Sequence, residues 1–174
     1  MNASNNILCN LQPTFISSGP LLLIGLRELM DEQAAQKIPL LWQELQNHRS
    51  LFPRPPSSIN YGLCIHLSGY EYSYMAAWAV EDFDELPEGL SPHIIPSQHY
   101  AVFNHPGHVS AIRSTMDFIF NQWLPQSDFV HAATQANAVH FFERYGEGFN
   151  PQTGEGDIEI WLPVNAKSHS GIHA

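Results

Sequence analysis

In the stretch "AVHFFERYGEG" (138–148), a carboxylate stands where an extended strand would place a core residue. Alternate residues of a strand share a face. Glu143 is therefore flanked by Phe141 and Tyr145, and His140, Phe142 and Arg144 make the other, wetter-looking side. Burial disfavours the charged form of a carboxylate and raises its pKa. A glutamate on an inner face thus needs a proton, a donor or a cation. Two sources are compatible with the sequence. One is internal: Arg27, Arg113 or a tyrosine hydroxyl. The other is a cation arriving from outside, to which flanking rings are suited, because an aromatic face attracts cations by roughly 0.5–2 kcal/mol.

In "YSYMAAWAV" (72–80), Tyr74 and Trp78 share a face with Tyr72 and Ala76. Large rings separated by a small residue leave a slot for a flat molecule, although ordinary core packing accounts for any single ring. Glu159, between Asp157 and Trp161, reads as a solvated residue behind the apolar row Ile158, Ile160, Leu162. His93, His99, His105 and His108 cluster around "HYAVFNHPGH", but without a helical i, i+4 pair or cysteine spacing they read as turn and surface histidines. No metal site is expected. There is no GxSxG elbow, and Cys64 beside Ile65 reads as a structural thiol. The loop "GEGFNPQTGEG" has no lysine, and Glu147 and Glu155 would repel phosphate. Neither a catalytic residue nor a cofactor is assigned.

The elements that must position these residues belong to one packed domain. Of 174 residues, 44% are hydrophobic and only 14% charged, which excludes a disordered chain. Seven Lys+Arg stand against seventeen Asp+Glu, a net charge of −10, and the basic residues are scattered. No stripe exists to follow a phosphate backbone, so direct nucleic-acid binding is not expected. Cys9 and Cys64 fit neither a disulfide framework nor a CxxC pair. With no secretory signal and no apolar run long enough to span a bilayer, the expectation is a cytoplasmic protein with reduced thiols, away from membranes.

Along the chain, residues 1–12 read as a flexible segment. Residues 13–29 read as strand broken at Ser18-Gly19-Pro20. Ile38, Leu41, Trp42 and Leu45 form a helical stripe after Asp31 as N-cap, with Pro39 predicting a kink or a late start. Residues 59–67 and 72–80 read as a hairpin turning through Ser68–Glu71, and the acidic, proline-bearing stretch 81–97 as a linker. The order then recurs: strand 99–105, a second stripe (Val109, Ile112, Met116, Ile119, Phe120, Trp123) ending at Pro125, and a hairpin of 138–146 with 157–164. Trp42 and Trp123 read as core. The expected fold is α+β, with two strand–helix–strand–strand units (about 13–80 and 98–165) forming a curved antiparallel sheet. Two main helices and a cleft at the pseudo-twofold junction complete it, and 166–174 is a tail.

This order, with "YAVFNHPG", "FERYG" and "IEIWLPV" as its most specific parts, resembles the DNA gyrase inhibitor-like effector-binding family over roughly 11–165. The same domain forms the ligand-binding part of AraC-type and MerR-type multidrug-responsive regulators, and the resemblance extends to standalone members encoded on integron cassettes. It implies non-covalent binding of lipophilic cationic or aromatic molecules. By motif the charged position is Glu143, with Tyr145 and Phe141 as walls and Tyr74 and Trp78 joining from the first hairpin. It also implies rivals: hydrolysis of electrophilic molecules by a pocket glutamate, or a protein-interaction module such as a topoisomerase modulator, alone or as a homodimer. Because the matched region begins near residue 13, no helix-turn-helix is expected ahead of it, which points to sequestration or to signalling through a partner.

Overall fold

In the computed structural model, which describes residues 8, 10–52 and 56–168, the alternating segments become nine strands. Cys9, Arg54, most of the N-terminal segment and the end of the tail lie outside the described residues. The strands are β1 (Thr14–Ser18), β2 (Leu21–Leu29), β3 (Asn60–His66), β4 (Tyr72–Ala79), β5 (Ser91–Ile95), β6 (Gln98–Asn104), β7 (Phe129–His131), β8 (Val139–Tyr145) and β9 (Ile158–Ala166). All pairings are antiparallel, in the order β1-β6-β9-β8-β3-β4-β2-β5, with β7 on β9. The order reads the same from either end when the two halves are exchanged. The central pair is β3 and β8, and each half lends its first strand to the other: β1 pairs with β6, and β5 with β2.

The Ser18-Gly19-Pro20 break, which in sequence suggests a bulge or kink within one strand, instead separates two strands with different partners: β1 lies on β6, and β2 on β4 and β5. The linker reading of 81–97 is corrected, because Ser91–Ile95 forms the edge strand β5. Proline removes one ladder donor, which an edge strand tolerates, so Pro92 did not prevent pairing.

Helix α1 (Ala34–Asn47) runs straight through Pro39, without the late start that proline suggests. Pro39 lies in the second turn on the solvent side, so it removes one hydrogen bond while the opposite face stays packed. The N-cap position is held by Gln33, not by Asp31, which lies two residues earlier; the Asp31 carboxylate accepts from the Gln33 backbone N–H at 2.8 Å and from Lys37 Nζ at 2.8 Å. Helix α2 (Ile112–Phe118) continues through a π-helical turn (Ile119–Trp123) into a last turn holding Pro125 (Leu124–Gln126).

Both faces of the sheet are covered. On one, α1 packs Leu41 and Leu45 over Tyr74, Ala76 and Trp78, while α2 packs Met116 and Ile119 over Phe103, Ile160 and Leu162. On the other, Leu63, Ile65, Met75, Tyr100 and Phe142 form a core without a helix. Here the expectation of a wetter side fails. The sheet curls until Ile95 of β5 and Tyr100 of β6, far apart in strand order, belong to one cluster, so it buries its own inner surface. The helices thus stand over β4 and over β6–β9, and the central β3–β8 pair is the floor between them. Along it Cys64, His66 and Phe141 are only half-buried.

Candidate functional site

Glu143 is placed on this floor by the register of β3 and β8. It lies opposite Gly62, which on its other side lies opposite Ala76 of β4. Two successive residues without large side chains open a passage across β3, and the Tyr74 ring reaches over Gly62. Its hydroxyl donates to Glu143 Oε2 at 2.7 Å. The Tyr145 hydroxyl donates to the same oxygen at 2.6 Å. From α1, Trp42 Nε1 donates to Tyr74 Oη at 3.3 Å, and its indole stands edge-on to Tyr74 and Tyr145. Each hydroxyl has one proton, and both protons point at Oε2.

Glu143 is 8% exposed and has no arginine or lysine partner among the described residues. Of the internal partners open to the sequence, the structure selects the tyrosines. Arg27 Nε donates to Ser73 Oγ on the opposite face at 2.6 Å, and Arg113 lies exposed on α2. Burial pushes the Glu143 carboxyl above its ordinary value, while the two hydroxyl donors pull it down. Both tyrosines are held well above the usual phenol range, by burial first and then by the Glu143 charge, so they remain neutral donors. Among the described residues Oε1 receives no donor. Among the described residues, every fully buried side-chain polar atom has a partner. Oε1 is accordingly the part of the carboxylate that is not fully buried.

The other residues singled out by sequence take different places. Phe141 lies two residues from Glu143 on the same face, half-buried against the α2 core. Trp78 is fully buried beneath α1, with Nε1 on Asn60 Oδ1 at 2.8 Å, Phe52 edge-on and the Arg49 guanidinium 5.4 Å above its ring. The structure does not bring it into the Glu143 cluster. Glu159 is half-buried, not simply solvated, and holds Arg144 at 3.3 Å and Trp161 Nε1 at 2.9 Å. His105 is buried, contrary to its surface reading: its ring bridges Thr115 Oγ1 at 2.8 Å and the His108 carbonyl at 2.9 Å, pinning α2 to the end of β6.

Three contributors are not legible as such in the sequence: Trp42 lies on a core stripe, Gly62 has no side chain to read, and Cys64 reads only as a structural thiol. A glycine inside a strand pattern often marks a close approach of other groups, and that signal was present at Gly62. Burial, and then the Glu143 charge, push the Cys64 thiol up to about 12. At pH 8 its thiolate fraction is then far below that of an ordinary cysteine, and iodoacetamide should modify Cys64 at least about a hundredfold more slowly than free cysteine. Peptide mass spectrometry over a time course checks this; modification at the free-cysteine rate would mean that the charge and burial around Glu143 differ from this description.

Comparison with known proteins matches residues 11–165 to the GyrI-like small molecule binding domain. The transcriptional regulator BrlR of Pseudomonas aeruginosa is 22% identical over 157 residues, 89% of this chain and 56% of the regulator, so the chain spans about half of that relative's length. The structure of SAV2435 bound to tetraphenylphosphonium superposes with a TM-score of 0.65 at 24% identity, covering 94% of this chain and 99% of the other. An integron cassette protein from the mobile metagenome of Vibrio cholerae superposes with a TM-score of 0.58 at 15% identity, covering 90% and 99%. At such identities these likenesses establish the fold, an α+β arrangement with an unclosed curved sheet.

Proposed function

Since this chain belongs to the GyrI-like small molecule binding domain family, we propose that its cleft binds lipophilic aromatic cations without covalent chemistry. In this reading Glu143 is the counter-charge, Trp42, Tyr74, Tyr145 and Phe141 are the walls, and Trp78 packs beside them on the same face under α1. The observation that carries it is a buried carboxylate whose partners among the described residues are two neutral hydroxyls on one oxygen, with no donor on the other. Neutral donors offset only part of the desolvation of a charge. A cation placed at Oε1 offsets more of it, and a delocalised one is cheap to strip of its own water. The rings then supply apolar contact and cation–π attraction. The tetraphenylphosphonium held by SAV2435, a protein of like fold, is a molecule of this kind.

Thermal unfolding with tetraphenylphosphonium and with the neutral triphenylphosphine oxide tests the reading. A ligand at ~100 times its Kd stabilises the folded state by about 2.7 kcal/mol, a rise of roughly 5–10 °C for a chain of this size. The cation should give that rise and the oxide little of it. Burial raises the Glu143 pKa, so the anionic fraction grows as pH climbs through the raised value. The cation-induced rise should therefore increase with pH and then level off. Equal stabilisation by both probes, independent of pH, would overturn the charge reading.

A further inference from the structure

At the other end of the cleft floor stand three histidines that the Glu143 cluster does not use. The β3–β8 register slips between Cys64 and Ile65, where one step of β3 spans two residues of β8, and His140 is the extra residue. This bulge turns the His140 ring onto the helix side. There it lies flat against Phe120, with centroids 5.3 Å apart and planes at 12°, and His131 stands edge-on at 4.2 Å. His66 of β3 lies 5.9 Å away. Phe120 belongs to the π-helical turn of the second helix, a local rearrangement that recurs at functional sites.

The cluster is held but not satisfied. His131 Nε2 donates to the His140 backbone carbonyl at 2.7 Å, which fixes that ring. The side-chain nitrogens of His66 and His140 make no hydrogen bond among the described residues, and both rings are half-buried. Burial, then the neighbouring His131 and His66, push His140 down to about 4, so its imidazole is neutral near pH 7. Among the described residues no group of three His, Cys, Asp or Glu side chains, these histidines included, is placed so that it could hold a metal ion. What remains is a flat face backed by Phe120, with one donor and one acceptor on the neutral His140 imidazole. Half-buried Cys64 and Phe141 connect this end of the floor to Glu143.

We infer, on the basis of the cation reading of Glu143, that His66, His140 and Phe120 form a second subsite for a flat, uncharged aromatic group bearing hydrogen-bonding atoms. The ligands of this chain are then elongated monocations, with the charged head at Glu143 and the ring at the histidines. Glu143 and His140 are three residues apart on one strand, which sets head and ring roughly 10 Å apart. The burial that keeps His140 uncharged also disfavours a second charge on the ligand there.

Two probes separate this proposal from the reading on which it rests. One is compact tetraphenylphosphonium; the other is a trimethylammonium joined through a chain of about five atoms to a naphthamide. Calorimetric titration of wild type, His140→Ala and His66→Ala gives the result. The elongated probe should lose about tenfold in affinity in His140→Ala and less in His66→Ala, from lost stacking and a lost hydrogen bond. Tetraphenylphosphonium should bind all three proteins within about twofold, which also shows that the variants are folded. Loss of both probes in equal measure, or of neither, overturns the second subsite while leaving the cation site standing. Failure of wild type to bind either probe overturns the cation reading and this one with it.

Discussion

Replacing Glu143 with glutamine is expected to weaken tetraphenylphosphonium binding by a hundredfold or more without unfolding the protein. Removing one member of a buried charge pair in a complex costs about 2–5 kcal/mol, and a hundredfold corresponds to about 2.7 kcal/mol. The stability of the free protein should move the other way. A buried glutamate that neutralises an arginine leaves an orphaned cation when it is replaced, and the fold suffers. Glu143 has only hydroxyl partners among the described residues, and the glutamine carbonyl accepts from the same two tyrosines. The sign of the pH dependence follows from the raised carboxyl pKa. A group whose folded pKa exceeds its unfolded value contributes stability that is present below the unfolded value and lost as pH rises through the folded one. Near pH 8 wild type carries that loss and Glu143→Gln does not. The variant should melt at the same temperature or higher, with the difference widening from pH 5 to 8. A variant that melts well below wild type at pH 8 and still binds the cation would make Glu143 a structural residue and end the proposal.

Gly62→Ala is expected to destabilise the fold and the binding floor together. A methyl group built there would lie 2.6 Å from Glu143 Oε2 and 2.7 Å from Tyr74 Cζ, and would overlap Tyr74 Oη outright. None of these is a flexible end at the surface, because Tyr74, on β4, is buried under α1 and held there by Trp42. Relief requires Tyr74 to leave Oε2, which adds a broken buried hydrogen bond to the overpacking. The expected loss is about 3 kcal/mol or more, a fall in melting temperature of roughly 6–12 °C, together with loss of cation binding. A second substitution identifies the cause. Tyr74→Phe removes the hydroxyl oxygen that the methyl group meets, so the double variant should be more stable than the two separate losses predict. Strict additivity would place the strain elsewhere in the strand.

Glu143 was visible in the sequence because two-residue alternation is local: it needs no knowledge of the neighbouring strands to show a carboxylate between Phe141 and Tyr145. Gly62 was not, since its meaning lies in what passes over it, and that depends on the pairing of β3 with β4 and β8. Trp42 illustrates the same limit in a helix. The stripe Ile38, Leu41, Trp42, Leu45 identifies a buried face, but such a face is about 100° wide, and one edge of it looks into the cleft, not the core. The face of Phe142 was misread because Arg144 and His140 bracket it in sequence, and curling of the sheet is a property of all nine strands together. β5 was hidden by composition: an acidic stretch with prolines reads as a connection until β2 offers it an edge. The second histidine cluster was out of reach for a different reason. A one-residue bulge reverses the facing of a side chain, and nothing in "AVHFF" announces it.

The exchange of first strands between the halves has a consequence for how the chain acquires its shape. The hydrogen bond of 2.7 Å between Ser17 Oγ and His99 Nδ1 joins residues 82 positions apart. At a synthesis rate of about 5–20 residues per second, β1 therefore waits several seconds on the ribosome for its partner strand. During that interval the outer edge of β2 is open as well, until residues 91–95 emerge. Neither half can be finished alone, so the protein is assembled as one interlocked object whose halves are joined by pairings distant in sequence. Long-range strand pairing of this kind folds slowly and exposes edges while it does so. The binding floor, made where the two halves meet, is complete only when that interlocking is.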